Sequence, residues 1–417
     1  MSDLKFQQLN REEYLKFTAK QKYLNFLQSV ESYDLFLVRD YNPILVGLVD
    51  SDNQVIAGGI LSQFKVHGGF YYRMDRGPIL DFKNSTLVKT FFDGLYYFAK
   101  TNGALYISII PDLVATKFNN EGAKIFEDNT SLEEMKKIGF IHVPIQMGND
   151  TNHSPSFQYV KDLSGIEDEK QLTDSFTKDV QYYLKKNKQF GIELKILDEA
   201  DLKDFYQLEV ATANRIGFKA KELDYYQKAY KYYGNKTKFI FAFLDFKKYK
   251  KTQNQAINEL MKIVDDLNLR LKDTPNNKKI IRQLNEYNDQ IKAHHKRIEQ
   301  ADILQSNEGK DKVITAGAMF QYFPGELTYL YSGTNEAYKN FYSPYLIQQF
   351  VMQEAIKLGI NRYNFYGVSG KQDGSDGVME FKKSFNGELE EMIGEFILPI
   401  NKFKYNLIQI LKKITGR

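Results

Sequence analysis

The 417-residue sequence contains no cysteine, and this absence excludes several kinds of chemistry at once. A disulfide framework, a thiolate nucleophile and a cysteine metal site are all ruled out. The five histidines are scattered and show no spacing typical of metal ligands. They are His67, His142, His153, His294 and His295. We therefore predict no metal site.

Long hydrophobic runs are also missing. The first residues, Met1–Lys5, are polar, and no stretch approaches the roughly 20 apolar residues that span a bilayer. The sequence thus predicts neither a signal peptide nor a membrane span, and we expect a cytoplasmic protein. Its 42% apolar and 26% charged content are ordinary for a globular protein, and its length favours two or more domains.

Positive charge exceeds negative charge only slightly, with a formal net charge of +4. Such a balance does not by itself predict nucleic-acid binding. Lysines do cluster at two places, and lysine clusters attract phosphate in a salt-dependent way. The clusters are Lys185, Lys186 and Lys188, and then Lys247, Lys248, Lys250 and Lys251. A solvated face is the more common explanation of such runs.

Residues 246–307 carry the most distinctive pattern in the chain. Apolar residues recur there at alternating steps of three and four, which predicts two helices with an apolar seam. Pro275, in the polar stretch between them, cannot continue a helix. The seam residues are Ile257, Leu260, Val264, Leu267 and Leu271, and then Ile280, Leu284, Tyr287, Ile291, His294 and Ile298. We predict an antiparallel coiled-coil hairpin, either a solvated strut or a lever arm that contacts a large partner.

On the two sides of this hairpin the chain repeats one pattern of strand, hairpin, strand, helix and strand. The first copy begins at Val55–Leu61 and ends at Leu105–Ile109, and the second begins at Val313–Phe320 and ends at Tyr363–Tyr366. The recurrence favours two copies of one mixed α/β domain over a single large sheet. The predicted domains are residues 1–165, residues 166–245 with 308–417, and the coiled coil at 246–307.

Residues 361–399 are the densest in chemical signals. A predicted strand, Tyr363–Tyr366, opens there into the glycine-rich bend Gly367–Gly370, and the run Phe381–Lys383 follows. Glycine lets a ligand approach the backbone closely, and free N–H groups in such a bend can bind anionic oxygen. A plain surface turn is the alternative for a Gly-x-x-Gly pattern alone.

These residues, together with Arg76–Pro78 and Ile393–Phe396, resemble the FemABX family of non-ribosomal peptidyltransferases. The similarity extends over essentially the whole chain, and its motifs recur in the expected order. The coiled-coil insertion resembles the arm carried by part of that family. The resemblance implies a mixed α/β fold of two GNAT-like acyltransferase subdomains plus a helical arm, which agrees with the repeat.

The reaction that the resemblance implies is transfer of glycine, serine or alanine from aminoacyl-tRNA to an amine of a lipid-linked muropeptide (lipid II). Such transfer builds the peptidoglycan interpeptide bridge. The tRNA ester is already activated, so no cofactor is implied. The implied partners are aminoacyl-tRNA, the lipid-linked precursor and a related transferase in a homo- or heterodimer, with peripheral contact at the inner face of the membrane.

The resemblance also assigns roles to individual residues. Lys382, in the family's Phe-Lys motif, is expected to contact the oxyanion or a terminal phosphate, and Asp112 is the candidate base. The expected substrate contacts are Arg76, Arg215, Tyr366, Gly367 and Phe381, and the expected tRNA contacts are Lys185, Lys186 and Lys188. Without the motif, Lys382 would be taken for a surface lysine, and Phe381 and Tyr366 for core.

The chain departs from the family's pattern at three places. Ile110 stands where an aspartate commonly precedes the proline, and Asp112 follows two residues later. Phe36 stands where a basic residue is expected, with Arg39 nearby. Residues 180–183 are Val-Gln-Tyr-Tyr, where the family has a run rich in arginine. Fewer cations would weaken contacts to tRNA or to the acceptor.

Two further hypotheses stay open at this point. One is a non-catalytic partner of active bridge-forming enzymes, acting through the coiled coil. The other is a transferase that uses acyl-CoA, which is less favoured because the chain lacks the pyrophosphate-binding loop of acetyltransferases. The lysine-rich C-terminal stretch, 402–413, is expected to be a helix packed on domain two, and a membrane-surface helix is the alternative.

Overall fold

The structure, a computed structural model, describes residues 4–148 and 154–415, so His153 lies outside the described residues. The strands of these ranges, numbered along the chain, are β1 Lys5–Gln8, β2 Ile44–Val49, β3 Val55–Val66, β4 Gly69–Asp75, β5 Tyr106–Ile110, β6 Val114–Phe118, β7 Lys124–Glu127, β8 Ile141–His142, β9 Phe157–Asp162, β10 Glu193–Ile196, β11 Thr237–Asp245, β12 Lys312–Phe323, β13 Glu326–Thr334, β14 Arg362–Gly367, β15 Glu388–Met392 and β16 Phe396–Pro399.

The α-helices of the same ranges are α1 Arg11–Thr18, α2 Val30–Leu37, α3 Ser85–Thr101, α4 Thr130–Ile138, α5 Glu169–Asp174, α6 Lys178–Phe190, α7 Leu202–Ile216, α8 Leu223–Tyr233, α9 Phe246–Asp273, α10 Lys278–Glu308, α11 Ser343–Lys357, α12 Gly377–Lys383 and α13 Lys402–Thr415. Short 3-10 turns occur at Phe26–Gln28, Glu199–Asp201, Gly234–Lys236 and Glu336–Phe341.

Two mixed sheets organise these strands. The first has the spatial order β1-β2-β3-β4-β5-β16-β8, and the second has the order β10-β11-β12-β13-β14-β9-β15-β6-β7. In each sheet an antiparallel hairpin, β3–β4 or β12–β13, leads through a helix, α3 or α11, to a strand that pairs in parallel, β5 or β14. The predicted repeat of a mixed α/β unit is therefore confirmed.

The sheets exchange strands across the predicted domain boundary. Strands β6, β7 and β9 precede residue 165 but belong to the second sheet, and β16 follows it but pairs with β5 in the first sheet. The boundary between sheets therefore does not coincide with the predicted boundary at residue 165. The division of the chain into folding units stays a prediction.

A pair of glycines lets helix α7 lie close to the second sheet. Gly317 on β12 and Gly333 on β13 are direct cross-strand partners, and Leu208 of α7 covers both. A Cβ atom on Gly333 would approach the Leu208 carbonyl oxygen to 2.8 Å, which is closer than packed atoms tolerate. Small residues at both positions are therefore a packing requirement.

We expect Gly333→Ala to lower the free energy of unfolding by about 1–3 kcal/mol, because the added methyl group overpacks the α7 contact. Urea unfolding followed by circular dichroism measures this change. Gly377→Ala is the matched control, since a Cβ atom there meets open space. Equal stability of the two variants would contradict the close-packing account.

The predicted hairpin of two helices is confirmed by α9 and α10, which pack against each other, and its description as a coiled coil stays a prediction. The Asn277 side chain accepts hydrogen bonds from the backbone N–H groups of residues 279 and 280 and so begins α10. Three of the predicted seam residues, Ile257, Leu267 and Leu284, are buried between the arms. At the base, Lys250 Nζ lies 2.6 Å from Asp302 Oδ1, which ties the two arms together.

The expectation that the C-terminal helix packs on domain two is wrong. Helix α13 packs instead on the start of β5, in the first sheet, where Tyr405 and Ile408 are buried against Leu105 and Tyr106. The Leu105 carbonyl accepts backbone hydrogen bonds from residues 400 and 401 just before the helix begins. Within the ranges that the structure describes, no helix combines the length and the apolar character needed to cross a membrane.

Candidate active site

A groove of about 340 Å³ lies where the segment after β5 meets the N-terminal segment after α1. Its walls are mixed in character, and Phe17, Ile79, Phe82 and Leu113 are among the apolar lining residues. Its polar lining residues are Gln21, Tyr23, Asn25, Arg76, Asp81 and Asp112. Small-ligand sites are usually concave and carry a few polar groups that converge on the ligand.

Asp112 is the most constrained carboxylate of this groove. Its Oδ2 accepts hydrogen bonds from the Tyr23 hydroxyl at 2.6 Å and from Asn25 Nδ2 at 3.1 Å. Its Oδ1 lies 3.7 Å from Arg76 Nη1. Ile110, the last residue of β5, is buried, and the groove carboxylate is Asp112, which follows Pro111.

The Tyr23 hydroxyl connects this carboxylate with the second sheet. It lies 3.5 Å from Glu326 Oε2 while it donates to Asp112. Desolvation of the hydroxyl, followed by the negative charges of Asp112 and Glu326, holds the pKa of Tyr23 well above its ordinary value. Tyr23 therefore stays protonated and remains a hydrogen-bond donor.

Behind Tyr23 lies a buried ion network. Arg362 Nε donates to Glu326 Oε2 at 2.7 Å, and its two terminal nitrogens donate to Glu390 at 2.8 and 2.5 Å. Burial alone would raise the pKa of Glu390, but the Arg362 contacts outweigh it and lower the pKa to about 2. For Glu326, desolvation prevails and the pKa is raised. Removing one member of such a network leaves an unpaired buried charge.

Two non-glycine residues in this region have a positive φ. Arg76, with φ of 54°, follows β4, and Tyr366, with φ of 64°, lies near the end of β14. Arg76 is buried, and its Nη2 donates to the Pro155 carbonyl at 2.7 Å. Large side chains seldom adopt this backbone conformation, and such strain concentrates at functional sites. Desolvation raises the pKa of the Tyr366 hydroxyl, which also senses the charge of Arg76.

Lys382 lies directly behind this bend. Its side chain is buried, and its Nζ donates to the Gly367 carbonyl at 2.6 Å and to the Tyr366 carbonyl at 3.4 Å. Desolvation lowers the pKa of Lys382 to about 7, with partial compensation by Asp376. Arg76, Asp112, Tyr366, Gly367 and Lys382 thus belong to one region of the molecule, where the two sheets meet.

Phe381 and Arg215 lie elsewhere. The Phe381 ring packs against Tyr345 and Phe385 in the aromatic core of the second sheet, with ring centroids 5.0 and 5.4 Å apart. Phe381 does not line the groove, so its position does not support the prediction that it forms a wall of the substrate pocket. Arg215 lies on the surface in the last turn of α7, with its Nη1 3.4 Å from Glu336 Oε2, and its contact with substrate stays a prediction.

The three lysines predicted to contact tRNA lie on α6. Lys188 pairs with Glu169 at 3.0 Å, Lys186 lies over the Tyr182 ring, and Lys185 is exposed. The charge of Lys186 reaches the hairpin, because it contributes, after desolvation and Arg297, to lowering the pKa of His294.

The departure at Phe36 has a packing explanation. Its ring lies 5.5 Å from Tyr41 and packs on the apolar cluster around α1. Positive charge is supplied nearby by Arg39, whose guanidinium lies 4.8 Å from the Tyr41 ring centre and 4.9 Å from that of Tyr225. Such stacking orients a cation without neutralising it.

Tyr23, Asn25 and Glu326 are site residues that the sequence did not suggest. Asn25 offers a weak local signal, because its Oδ1 accepts from the Leu27 N–H and so begins a helical turn. Tyr23 and Glu326 offer none, since 303 residues separate them. Within the described ranges, no three His, Asp or Glu side chains converge as metal ligands would.

Comparisons with known proteins identify relatives of this chain. The model of the FemAB family matches residues 9–413. Aminoacyltransferase FemA of Staphylococcus aureus strain bovine RF122 / ET3-1 is 33% identical over 429 residues, which cover 99% of this chain and 100% of FemA. FemA of strain MW2 is also 33% identical, over 427 residues with the same coverage.

Among solved structures, a crystal structure of FemX is similar with a TM-score of 0.78 and 21% sequence identity, covering 97% of this chain and 99% of that one. This likeness supports the fold. The family match and the full-length identity to FemA lead to one conclusion: the chain belongs to the FemAB family.

Proposed function

We propose that this protein is an aminoacyltransferase that moves glycine, serine or alanine from aminoacyl-tRNA to an amine of a lipid-linked peptidoglycan precursor, building the interpeptide bridge. The observation that carries the proposal is the Asp112 carboxylate in the groove, which accepts hydrogen bonds from Tyr23 and Asn25 and forms an ion pair with the buried Arg76. Membership of the FemAB family supports the same reaction class.

The reaction is aminolysis of an ester. The amine nitrogen attacks the aminoacyl carbonyl carbon, a C–N bond forms, and the C–O bond to the ribose breaks. The amine loses a proton, and the departing ribose oxygen gains one. The ester already carries the free energy for this exchange, so the proposal includes no cofactor.

Asp112 is suited to both proton movements. As a carboxylate it attracts the acceptor's ammonium group into the groove, where this group first releases one proton to solvent and becomes a neutral amine. Asp112 then accepts the second proton as the amine attacks and returns it to the departing ribose oxygen. Its Oδ2 is occupied by Tyr23 and Asn25, and its Oδ1 faces Arg76 at 3.7 Å without a hydrogen bond. The Oδ1 atom is therefore the better placed to receive the proton.

Lys382 is suited to stabilise the negative charge that develops during the reaction. An ammonium group has three donors, and two of them engage the carbonyls of Tyr366 and Gly367. The third can meet the oxyanion that forms when the amine attacks, or a terminal phosphate. The strained bend at Tyr366 positions this nitrogen behind the meeting point of the two sheets.

Contact with tRNA is proposed for α6 and the adjoining face of the hairpin. Lys185, Lys186 and Lys188 supply positive charge on α6, and such charge attracts the phosphates of a polyanion. The acceptor carries a lipid, so we also propose peripheral contact with the bilayer. A homo- or heterodimer with a related transferase remains a further proposal.

A transfer assay tests the function. Purified protein is mixed with tRNA charged with radiolabelled glycine, serine or alanine and with lipid-linked precursor, either bare or already bearing the first bridge residue. We expect label in the lipid fraction with at least one donor. No transfer from any donor, with an active FemA preparation as the positive control, would overturn the proposal in favour of a non-catalytic partner.

We expect Tyr23→Phe to lower kcat/KM for transfer by roughly tenfold, because one charge-assisted hydrogen bond to Asp112 is lost, worth about 1.5 kcal/mol. The phenyl ring keeps its packing, so thermal unfolding should stay near that of the wild type. Tyr97→Phe, at an exposed position on α3, is the matched control. Unchanged kcat/KM in Tyr23→Phe would show that the hydroxyl does not position Asp112.

A further inference from the structure

Helix α13 has two apolar faces, and only one of them is covered. Tyr405 and Ile408 are buried against β5, whereas Phe403, Leu407 and Ile410 are 80%, 48% and 55% exposed. At about 100° per residue, the three exposed side chains fall within an arc of roughly 60° opposite the buried pair. They form one continuous stripe, which we call the outer stripe.

The outer stripe belongs to a segment of one charge sign. After Glu395 the chain contains no acidic residue and five basic residues, which are Lys402, Lys404, Lys412, Lys413 and Arg417. Lys402 and Lys404 lie on opposite sides of the stripe by the same helical geometry. An apolar stripe flanked by lysines matches an anionic lipid surface, where the ring and aliphatic side chains enter the acyl boundary and the lysines meet headgroups.

The helix is firmly seated on the protein body. The Leu105 carbonyl accepts hydrogen bonds from the N–H groups of residues 400 and 401, and Asn401 Oδ1 accepts from the Lys404 N–H. The Tyr405 ring packs edge-on against Tyr106, with ring centroids 5.5 Å apart. A bilayer held at the outer stripe would therefore orient the whole first sheet.

Strand β5 connects this surface with the groove. It begins beside α13 at Tyr106 and ends just before Asp112, which at about 3.3 Å per residue is a separation of about 20 Å along the strand. An acceptor with a lipid tail in the bilayer and a reactive amine on its polar end needs such a separation.

We propose that the outer stripe of α13 docks the protein on anionic bilayers. The inference extends the proposed function, which requires a lipid-linked acceptor, but its test needs no transfer activity. Sedimentation with vesicles of phosphatidylglycerol and phosphatidylcholine measures binding directly. We expect wild-type protein to bind them and to be released by high salt, and to bind pure phosphatidylcholine vesicles much less.

The decisive variant replaces Phe403, Leu407 and Ile410 by serine and is expected to reduce vesicle binding by at least tenfold. Its matched control replaces three equally exposed apolar residues of the hairpin, Met261→Ser, Leu269→Ser and Ile303→Ser, and should bind like wild type. A second variant, Lys402→Glu with Lys404→Glu, leaves the apolar stripe unchanged but reverses the charge beside it. It should lose binding to the anionic vesicles at low salt.

Three outcomes would overturn the proposal. The first is no vesicle binding by the wild type, and the second is equal binding by the wild type and the serine variant. The third is a serine variant that loses self-association rather than vesicle binding, which would assign the stripe to a contact with a second copy of the chain. Transfer to an acceptor without its lipid tail separates this inference from the proposed function. The serine variant should keep that activity. Wild-type protein that binds vesicles but transfers to no acceptor would contradict the proposed function alone.

Discussion

Asp112→Asn is expected to lower kcat/KM for amino-acid transfer by about 10²–10⁴-fold, the range typical of losing a general base. The amide keeps the size of the carboxylate, and its oxygen can still accept from Tyr23. It can no longer take a proton from the attacking amine or attract the acceptor's ammonium group. Initial rates with pre-charged tRNA at several acceptor concentrations measure the loss.

The groove offers its own control for this experiment. Asp81 also lines it, but its Oδ1 accepts from the Lys83 N–H, and its side chain is exposed to solvent. Asp81→Asn should therefore leave transfer near the wild-type rate. If both variants retained full activity, the proton would have to leave by a route that avoids the groove carboxylates.

Much of the architecture was predictable because it is encoded in local periodicity. The hairpin follows from apolar residues at steps of three and four and from Pro275 at its turn. The repeat follows from the succession of elements alone. The strand exchange was not predictable, because β9 and β16 carry no mark of the sheet they join. Their partners, β14 and β5, are far away in the sequence.

The same holds for the site: local motifs predicted several of its residues, but contacts between distant parts of the sequence could not be predicted. A resemblance of motifs singled out Arg76, Tyr366 and Lys382, and the chain places them together where the sheets meet. It also singled out Phe381, whose ring packs in the core. The resemblance also singled out Asp112, but its contact with Tyr23, 89 residues away, is one that no sequence pattern reveals.

The prediction that the C-terminal helix packs on domain two was wrong for a related reason. The alternation of apolar residues and lysines in this helix predicted an amphipathic helix. The same alternation is compatible with two apolar faces, and it does not show which of them is buried. Which face is covered depends on Leu105 and Tyr106, nearly 300 residues earlier in the chain. A pattern on one helix cannot decide which surface receives it.

Lys382→Met is expected to lower kcat/KM by about 10²–10³-fold, the effect of removing one donor from an oxyanion. Methionine fills a similar volume in the buried position, so the protein should still fold. Lys383→Met, which removes the half-buried neighbour that pairs with Glu380, is the matched control and should transfer normally. Wild-type transfer by Lys382→Met would restrict Lys382 to a structural role.

The pH dependence of transfer separates these two roles. An oxyanion needs the charged ammonium, and desolvation lowers the pKa of Lys382 to about 7. As the pH rises through this value the charged fraction falls, so kcat/KM of the wild type should decline above about pH 7, because that ratio reports the free enzyme. The residual activity of Lys382→Met should lack this decline.

Stability should change with pH in the opposite direction. Between about pH 7 and the ordinary lysine pKa of 10.5, the unfolded chain retains a proton at Lys382 that the folded chain has released. Because stability rises with pH wherever the unfolded state binds more protons, the free energy of unfolding of the wild type should rise across this window relative to that of Lys382→Met. Urea unfolding of both proteins from pH 7 to 10 tests this difference. Parallel stability curves would mean that Lys382 keeps an ordinary pKa and that its nitrogen is not desolvated behind the bend.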